Sequence, residues 1–268
     1  MKRSARVESK AAVPAASADP QPAECQLVSP LVGYERWAAT YDTFPNPLLA
    51  REERYLLPLL GNLHETYTLD LACGTGRWLE KILARGERGV GLDFSAAMLQ
   101  IANGKDEIKG RLARAVCERI PFRSGSFDLA ICSFALGHID VLDTLEGELA
   151  RVTKVGADIF VSDLHPEAHA WGWRSGFRDK AASVQVLTRA HAIADIVQTF
   201  CNRHFECVSS ETLWLGEPEK PIFEAAGKLR SFTETCTVPA LFVCHFKRIA
   251  VSTALFKHPS VPNPEVGS

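Results

Sequence analysis

Strand-like and helix-like patterns alternate from residue 67 to residue 164, and this alternation limits the possible folds more than any other feature of the chain. Strand-like runs occur at 67–73, 88–94, 111–116, 127–134 and 157–164, and amphipathic segments such as RWLEKILAR separate several of them. Such alternation predicts βαβ units and a mostly parallel sheet. Two later β-rich runs, FECVSSETLWL and PALFVCHFKRI, are expected to add an antiparallel hairpin at its edge.

The segment LDLACGTGRW, residues 69–78, has the composition of a turn that approaches a ligand. A strand brings Asp70 to its end, and Gly74 and Gly76 allow the backbone to turn sharply before a helix begins. Asp93 follows 17 residues after Gly76, at the end of the next strand. A carboxylate there can accept hydrogen bonds from both hydroxyls of a ribose. Dinucleotides and S-adenosylmethionine (SAM) both carry an adenosine, so the spacing alone leaves both cofactor classes open.

Residues 68 to about 160 resemble the class I SAM-dependent methyltransferases, especially the subgroup of ubiquinone and menaquinone biosynthesis. The family's loop is an acid, any residue, Gly, Cys or Ser, Gly, Thr or Ser, Gly; here it runs from Asp70 to Gly76 as DLACGTG. The resemblance implies a Rossmann-like fold: a seven-stranded, mostly parallel sheet with an antiparallel edge hairpin and helices on both faces. It implies a SAM-dependent enzyme that methylates oxygen, nitrogen or carbon of a small molecule.

Two alternatives stay open beside this interpretation. A nicotinamide-dependent oxidoreductase would need a pyrophosphate at the glycine loop, and the third glycine of GxGxxG is missing. A non-catalytic SAM-binding module is conceivable because Val116 stands where the family commonly has an aspartate for the adenine amino group. Ala72 is a second departure, since it replaces the usual first glycine of the loop.

The resemblance also assigns cofactor contacts to individual positions. The glycine loop would face the methionine part of SAM, Asp93 the ribose, and Phe94 and Met98 the adenine. Cys117 and Glu118 would contact the adenine edge, and Ser133, Phe134 and His138 would lie toward the methionine end. The complete predicted set is Asp70, Ala72, Cys73, Gly74, Gly76, Asp93, Phe94, Met98, Cys117, Glu118, Ser133, Phe134 and His138.

The acceptor site is predicted from residues that follow the fifth strand. Asp163 and His165 stand where ligands bind in such sheets, so they are the candidates to orient or deprotonate an acceptor. If the next residues are helical, Trp171, Arg174 and Arg178 share one face and could bind an anionic, partly apolar molecule. Tyr41 belongs to an aromatic segment that resembles the family's lid. The competing interpretations are a turn cap for Asp163, surface salt bridges for the arginines and core packing for the tyrosine.

Composition bounds the remaining properties. The formal net charge is −2, without the basic excess of a nucleic-acid-binding protein, and no apolar run is long enough to cross a membrane. The 8 cysteines include no CxxC pair, so we expect buried free thiols, no metal site and a cytoplasmic protein. The expected partner is a small-molecule substrate, and the expected state is a monomer or homodimer.

The chain divides into three parts by composition. Residues 1–27 form a predicted disordered leader, residues 28–250 a methyltransferase domain, and residues 251–268 a disordered tail. Within the domain, segments at about 165–185 and 216–238 interrupt the alternating pattern. We expect these two segments to form a cap over the acceptor site.

Overall fold

A computed structural model describes residues 25–43, 45–61, 63–179 and 182–250. The strands are β1 (Cys25–Val28), β2 (Tyr67–Leu71), β3 (Arg88–Asp93), β4 (Leu112–Arg114), β5 (Phe127–Ser133), β6 (Thr153–Leu164), β7 (Gly176–Asp179), β8 (Ala182–Val186), β9 (Phe205–Leu213) and β10 (Leu241–Arg248). The α-helices are α1 (Pro30–Trp37), α2 (Pro47–Leu60), α3 (Arg77–Ala84), α4 (Ala96–Asn103), α5 (Leu142–Val152), α6 (Pro166–Ala170), α7 (Ile193–Cys201), α8 (Lys220–Ala225) and α9 (Leu229–Thr235).

The central sheet has seven strands in the order β4-β3-β2-β5-β6-β10-β9. Strands β2 to β6 pair in parallel, whereas β10 is antiparallel to both β6 and β9. The predicted seven-stranded, mostly parallel sheet with an antiparallel edge hairpin is therefore confirmed. The parallel strands read as apolar runs because they are covered on both faces and expose little side-chain surface.

Helices bury the two faces of the sheet in separate cores. On one face, α5 and α7 contribute Leu145, Leu149 and Phe200 against the strands. On the other face, α2 contributes Leu56 and Leu60, and α8 and α9 add one buried phenylalanine each. Segment 216–238 thus packs on the α2 face, and its role as a cap over an acceptor remains a prediction.

A second, smaller sheet has the order β1-β8-β7 and was not expected from the sequence. β1 pairs in parallel with β8, so residues 25–27, which the sequence analysis assigned to the leader, belong to a strand instead. α1 packs closely on β8, since a Cβ on Gly33 would lie 2.6 Å from Val186 Cγ2. The short sheet thereby fixes the N-terminal helix beside the main domain.

The rest of the predicted leader, residues 1–24, and the predicted tail, 251–268, lie outside the described residues. Within the described ranges, every helix is too short or too polar to cross a bilayer.

Candidate active site

A cleft of about 620 Å³ opens at the carboxyl ends of β2, β3 and β5. It is lined by Tyr34, Tyr41, Leu49, Asp70, Ala72, Cys73, Gly74, Thr75, Arg77, Trp78, Asp93, Phe94, Met98, Ser133, Phe134, Ala135 and His138. Most residues of the predicted cofactor set are therefore in one place, although their contacts with a cofactor remain predictions.

The glycine loop forms one wall of the cleft. Gly74 has a φ of 55°, and a Cβ at this position would meet no atom within 4 Å, so its backbone faces open space. Gly76 has a φ of 83°, and a Cβ there would lie 2.5 Å from Ile108 Cδ1. Gly76 is thus required for packing behind the loop and is absent from the described cleft lining. The first glycine gives ligand access, and the second lets α3 begin close to the sheet.

Asp93 places a buried carboxylate in this cleft at the end of β3. Its Oδ2 accepts a hydrogen bond from the Gly74 N–H at 2.8 Å, and its Oδ1 accepts one from the Ser95 N–H at 2.8 Å. Burial raises the pKa of this carboxyl. An ionised carboxylate can accept about four hydrogen bonds. Two lone-pair directions therefore remain for hydroxyl groups of a ligand.

Asp70 lies deeper, between the glycine loop and α3. Its Oδ2 accepts a hydrogen bond from the Leu79 N–H at 2.9 Å, in the first turn of α3. Burial raises the pKa of Asp70 to about 7, against the opposing effects of that hydrogen bond and of the Arg77 guanidinium. The side chain supports the helix whose N-terminus faces the cleft, which is a suitable environment for an anionic ligand group.

Glu52 on α2 lies behind the cleft and holds three of its lining residues in place, a role the sequence analysis missed. Its fully buried carboxylate accepts hydrogen bonds from Ser133 Oγ at 2.7 Å and Trp78 Nε1 at 3.3 Å. Arg77 Nη2 and Ser162 Oγ also donate to it. The signal was available, because Glu52 shares the buried face of α2 with Leu56 and Leu60, where a charged residue is unusual.

Residues 29–43, which we call the lid, close over the cleft from the N-terminal side. Tyr34 Oη lies 2.9 Å from His138 Nε2, after β5. Glu35 Oε1 accepts a hydrogen bond from Ser95 Oγ at 3.1 Å, at the start of α4. Asp42 Oδ1 accepts one from Thr75 Oγ1 at 2.8 Å, in the glycine loop. Each of the three strand-end segments that line the cleft is therefore contacted by a different side chain of the lid.

The segment that contains the glycine loop and Asp93 matches a known protein family. Residues 69–161 match the family described as "Methyltransferase domain". The resemblance inferred from the loop and from Asp93 is thus confirmed.

Individual relatives agree with the family. A demethylmenaquinone methyltransferase of Thermobifida fusca is 30% identical over 52% of this chain and 65% of its own length. An uncharacterized methyltransferase of Emericella nidulans is 27% identical over 68% of this chain and 78% of its own. The structure of a SAM-dependent methyltransferase from Mesorhizobium loti superimposes with a TM-score of 0.57 at 19% identity, covering 75% of this chain and 100% of that one, and supports the fold. The chain spans just under two thirds of the Thermobifida enzyme.

The side of the cleft that the resemblance assigns to the adenine is less complete. Val116 is 49% exposed. Neither Cys117 nor Glu118 is among the described residues that line the cleft. Burial raises the pKa of the Cys117 thiol, so it stays protonated. The adenine contacts assigned to Cys117 and Glu118 remain predictions.

The residues predicted to be catalytic are engaged in local structure. Asp163 accepts hydrogen bonds from the Gly137 N–H at 2.8 Å and from the Leu164 N–H at 2.6 Å, and burial raises its pKa to about 6. His165 begins α6, where its Nδ1 accepts a hydrogen bond from the Glu167 N–H at 3.2 Å. Neither is among the described residues of the cleft lining. Their catalytic roles stay predictions, with contacts that favour a structural function.

The prediction of one helical face that binds the acceptor was wrong. α6 ends at Ala170, and Arg178 lies on β7, so Trp171, Arg174 and Arg178 do not share one helix. The reason is local, because Gly172 has a φ of 101° that interrupts the helix. All three side chains are exposed, and Arg174 Nη1 donates to the carbonyls of His169 and Trp173. Tyr41, in contrast, does line the cleft.

Proposed function

We propose that this protein is a SAM-dependent methyltransferase that acts on a small-molecule acceptor. One observation carries the proposal: the buried carboxylate of Asp93 lies in the cleft beside the glycine loop, held by the backbone of Gly74 and Ser95. Its free lone pairs are suited to the two hydroxyls of the SAM ribose. The match of residues 69–161 to a methyltransferase domain supports the same conclusion.

The remaining lining fits the rest of the SAM molecule. Phe94 and Met98 provide an apolar surface beside Asp93 for the adenine. Gly74 leaves room for the methionine part, and the N-terminus of α3 faces it. The position of the third glycine in a dinucleotide loop is occupied by Leu79, which is buried and bonded to Asp70. This packing disfavours the nicotinamide alternative.

When SAM is bound, it supplies an electrophilic methyl group. The chain contributes position and exclusion of water, since the lid covers the cleft. Ser133 and Phe134, which the resemblance assigns to the methionine end, also line it. Holding the acceptor in line with the methyl group can supply much of the rate acceleration. The acceptor is a small molecule, as the name of the demethylmenaquinone relative suggests for that enzyme.

Location and assembly belong to the same proposal. We place the protein in the cytoplasm as a monomer or homodimer without a nucleic-acid partner. Support comes from the net charge of −2 and from the free state of the described cysteines.

Titration calorimetry with SAM, S-adenosylhomocysteine (SAH) and NADH tests the proposal. We expect SAM and SAH to bind and NADH not to bind. Asp93→Ala removes charge-assisted hydrogen bonds worth about 1.5–3 kcal/mol and should weaken SAM binding about ten- to hundredfold. Asp143→Ala, an exposed aspartate on α5, is the matched control and should leave affinity unchanged. An unchanged dissociation constant in folded Asp93→Ala, or NADH binding by the wild type, would contradict the assignment.

A further inference from the structure

The buried carboxylate of Glu52 has all of its hydrogen-bonding capacity taken by the protein. Its Oε1 accepts hydrogen bonds from Ser133 Oγ, at 2.7 Å, and from Ser162 Oγ. Its Oε2 accepts them from Trp78 Nε1, at 3.3 Å, and from Arg77 Nη2. A carboxylate has about four such sites, so no lone pair of Glu52 is left for a ligand. Glu52 can therefore act on a ligand only through the residues that it holds.

Three of these four partners line the cleft, namely Arg77, Trp78 and Ser133. Arg77 is the first residue of α3, directly after the glycine loop, and Ser133 is the last residue of β5. Arg77 Nη2 also donates a hydrogen bond to Ser133 Oγ at 3.0 Å, and the guanidinium carbon lies 4.7 Å from the centre of the Trp78 ring. Glu52 thus fixes two walls of the cleft relative to each other.

These contacts determine which kind of hydrogen bond Ser133 can offer to a ligand. A serine hydroxyl has one hydrogen and two lone pairs. The hydrogen is donated to Glu52, and one lone pair accepts from Arg77 Nη2. The remaining lone pair can only accept. A ligand group that meets Ser133 Oγ must therefore be a donor, such as an ammonium group.

Glu52 also offsets the charge of Arg77, which would otherwise repel a cationic group at this wall. Burial lowers the pKa of Arg77, but the Glu52 carboxylate outweighs this effect and raises it. Glu53, the next acid along α2, is farther away, with its Oε2 4.0 Å from Arg77 Nη1. The hydrogen-bonded pair of Glu52 and Arg77 is thus locally neutral.

Stability gives little reason for an acid at position 52. The same face of α2 buries Leu56 and Leu60. Replacing a buried ion pair with apolar side chains of similar volume often leaves stability unchanged or raises it. The acid does provide a fixed hydroxyl and a compensated cation beside the cleft, which is a contribution to binding.

We propose that Glu52 is a positioning residue that fixes Ser133 as a hydrogen-bond acceptor for the ammonium group of the methyl donor. SAM carries this group on its methionine part, the end to which the resemblance assigns Ser133. The inference rests on the proposed methyltransferase function. It goes beyond that function because it names a residue that determines which ligand group is recognised, although it touches no ligand itself.

Glu52→Gln should reverse the direction of the hydrogen bond at Ser133. Arg77 and Trp78 can only donate, so the amide oxygen of the variant must face them and its amide nitrogen must face Ser133. The amide and Arg77 then both donate to Ser133 Oγ, which leaves only the hydroxyl hydrogen for a ligand. The variant keeps the size of the side chain, while the ammonium group loses its acceptor.

Titration calorimetry of the full chain with SAH and with its deamino analogue, in which hydrogen replaces the ammonium group, tests the proposal. We expect Glu52→Gln to weaken SAH binding at least about tenfold and to leave the affinity for the deamino analogue within about twofold of wild type. Ser133→Ala should show the same selective loss, because it removes the acceptor and keeps the Arg77–Glu52 pair. Glu53→Gln is the matched control, since the contacts of Glu53 are with Arg77 and Lys81, and it should bind both ligands as the wild type does.

The two ligands separate this role from a structural one. If Glu52→Gln and Ser133→Ala weaken the binding of both ligands equally, Glu52 only supports the shape of the cleft and the proposal is wrong. If neither variant changes SAH binding, Ser133 does not meet the ammonium group, and the proposal is equally wrong. A selective loss in Ser133→Ala without one in Glu52→Gln would overturn the role of Glu52.

Folding of each variant is checked by circular dichroism and urea denaturation. If Glu52→Gln does not fold, Glu52→Asp takes its place, because the shorter acid keeps the charge but withdraws its carboxylate from Ser133. The same selective loss of SAH binding is expected there, and equal loss for both ligands again contradicts the proposal. If the wild type binds neither SAM nor SAH, the proposed function itself fails, and the inference fails with it.

Discussion

Ala72 stands in the glycine loop with a φ of 56°, a left-handed conformation that disfavours a side chain. The strain is about 1–2 kcal/mol, and a glycine would lose about 0.5–1 kcal/mol more chain entropy on folding. We therefore expect Ala72→Gly to raise the free energy of unfolding by up to about 1 kcal/mol, measured by urea denaturation. Ala50→Gly, inside α2, is the control and should lower it by about the same amount. A loss of stability in Ala72→Gly would show that the alanine methyl contributes packing that outweighs its backbone strain.

Single residues differ in how far the sequence could predict them. Asp70, Gly74 and Asp93 could be placed because they lie at or just after the ends of β2 and β3, and parallel strands end at one edge of the sheet. Glu52 could be noticed as a charged residue on the apolar face of α2, but its place behind the cleft could not be predicted. That place depends on α2 packing against β5 and β6 from a distant part of the chain. His138 was placed at the edge of the site. Its hydrogen bond to Tyr34 joins residues 104 positions apart, so no local sequence pattern predicts it.

At the scale of elements, regular helices were predictable and the small sheet was not. Asn46 and Pro47 mark the start of α2, with Asn46 Oδ1 accepting a hydrogen bond from the Leu48 N–H at 2.9 Å. Helix caps depend on a few neighbouring residues, so the local sequence predicts them. β1, β7 and β8 have only four or five residues each, and β1 pairs with a strand more than 150 positions away. Such short strands lack a readable periodicity.

The lid also carries a prediction at this scale. Glu35 and Asp42 hold it to α4 and to the glycine loop through charge-assisted hydrogen bonds, each worth about 1.5 kcal/mol or more. The double variant Glu35→Gln, Asp42→Asn weakens both contacts, so SAH should dissociate at least about tenfold faster in stopped-flow displacement. Glu217→Gln, an exposed partner of Lys220 far from the lid, is the control and should behave as wild type. Unchanged dissociation in the double variant would mean that these two bonds do not limit lid opening.

Across the whole molecule, strand order explains where the cleft lies. The chain moves outward from β2 through β3 to β4, then returns to place β5 on the other side of β2. The helices after β2 and β5 therefore leave in opposite directions, and a crevice opens between them at the carboxyl ends. This arrangement follows from right-handed crossovers, which the alternating sequence pattern already implied. The position of the acceptor site does not follow from the strand order, because this site depends on segments outside the alternating pattern.

The buried acids at this crevice should make stability depend on pH. Burial raises the pKa of Asp70 to about 7 in the folded protein, whereas an aspartate in the unfolded chain titrates near 3.9. Between these two pKa values, the Asp70 carboxyl keeps its proton in the folded protein and has lost it in the unfolded chain. The contribution of Asp70 to the free energy of unfolding is therefore fully present below about pH 4 and is lost as the pH rises through about 7.

Asp70→Asn should remove this dependence while keeping an oxygen for the Leu79 N–H. We expect the free energy of unfolding of the wild type to fall between pH 4.5 and pH 8 by roughly 2–4 kcal/mol more than that of the variant. Urea denaturation of both proteins at several pH values measures the difference. Asp163→Asn should show the same trend in a window that ends near pH 6, because burial raises the Asp163 pKa to about 6. Asp143→Asn, on an exposed site, should follow the wild type. Parallel curves for wild type and Asp70→Asn would mean that the Asp70 carboxyl is already ionised in the folded protein at acidic pH.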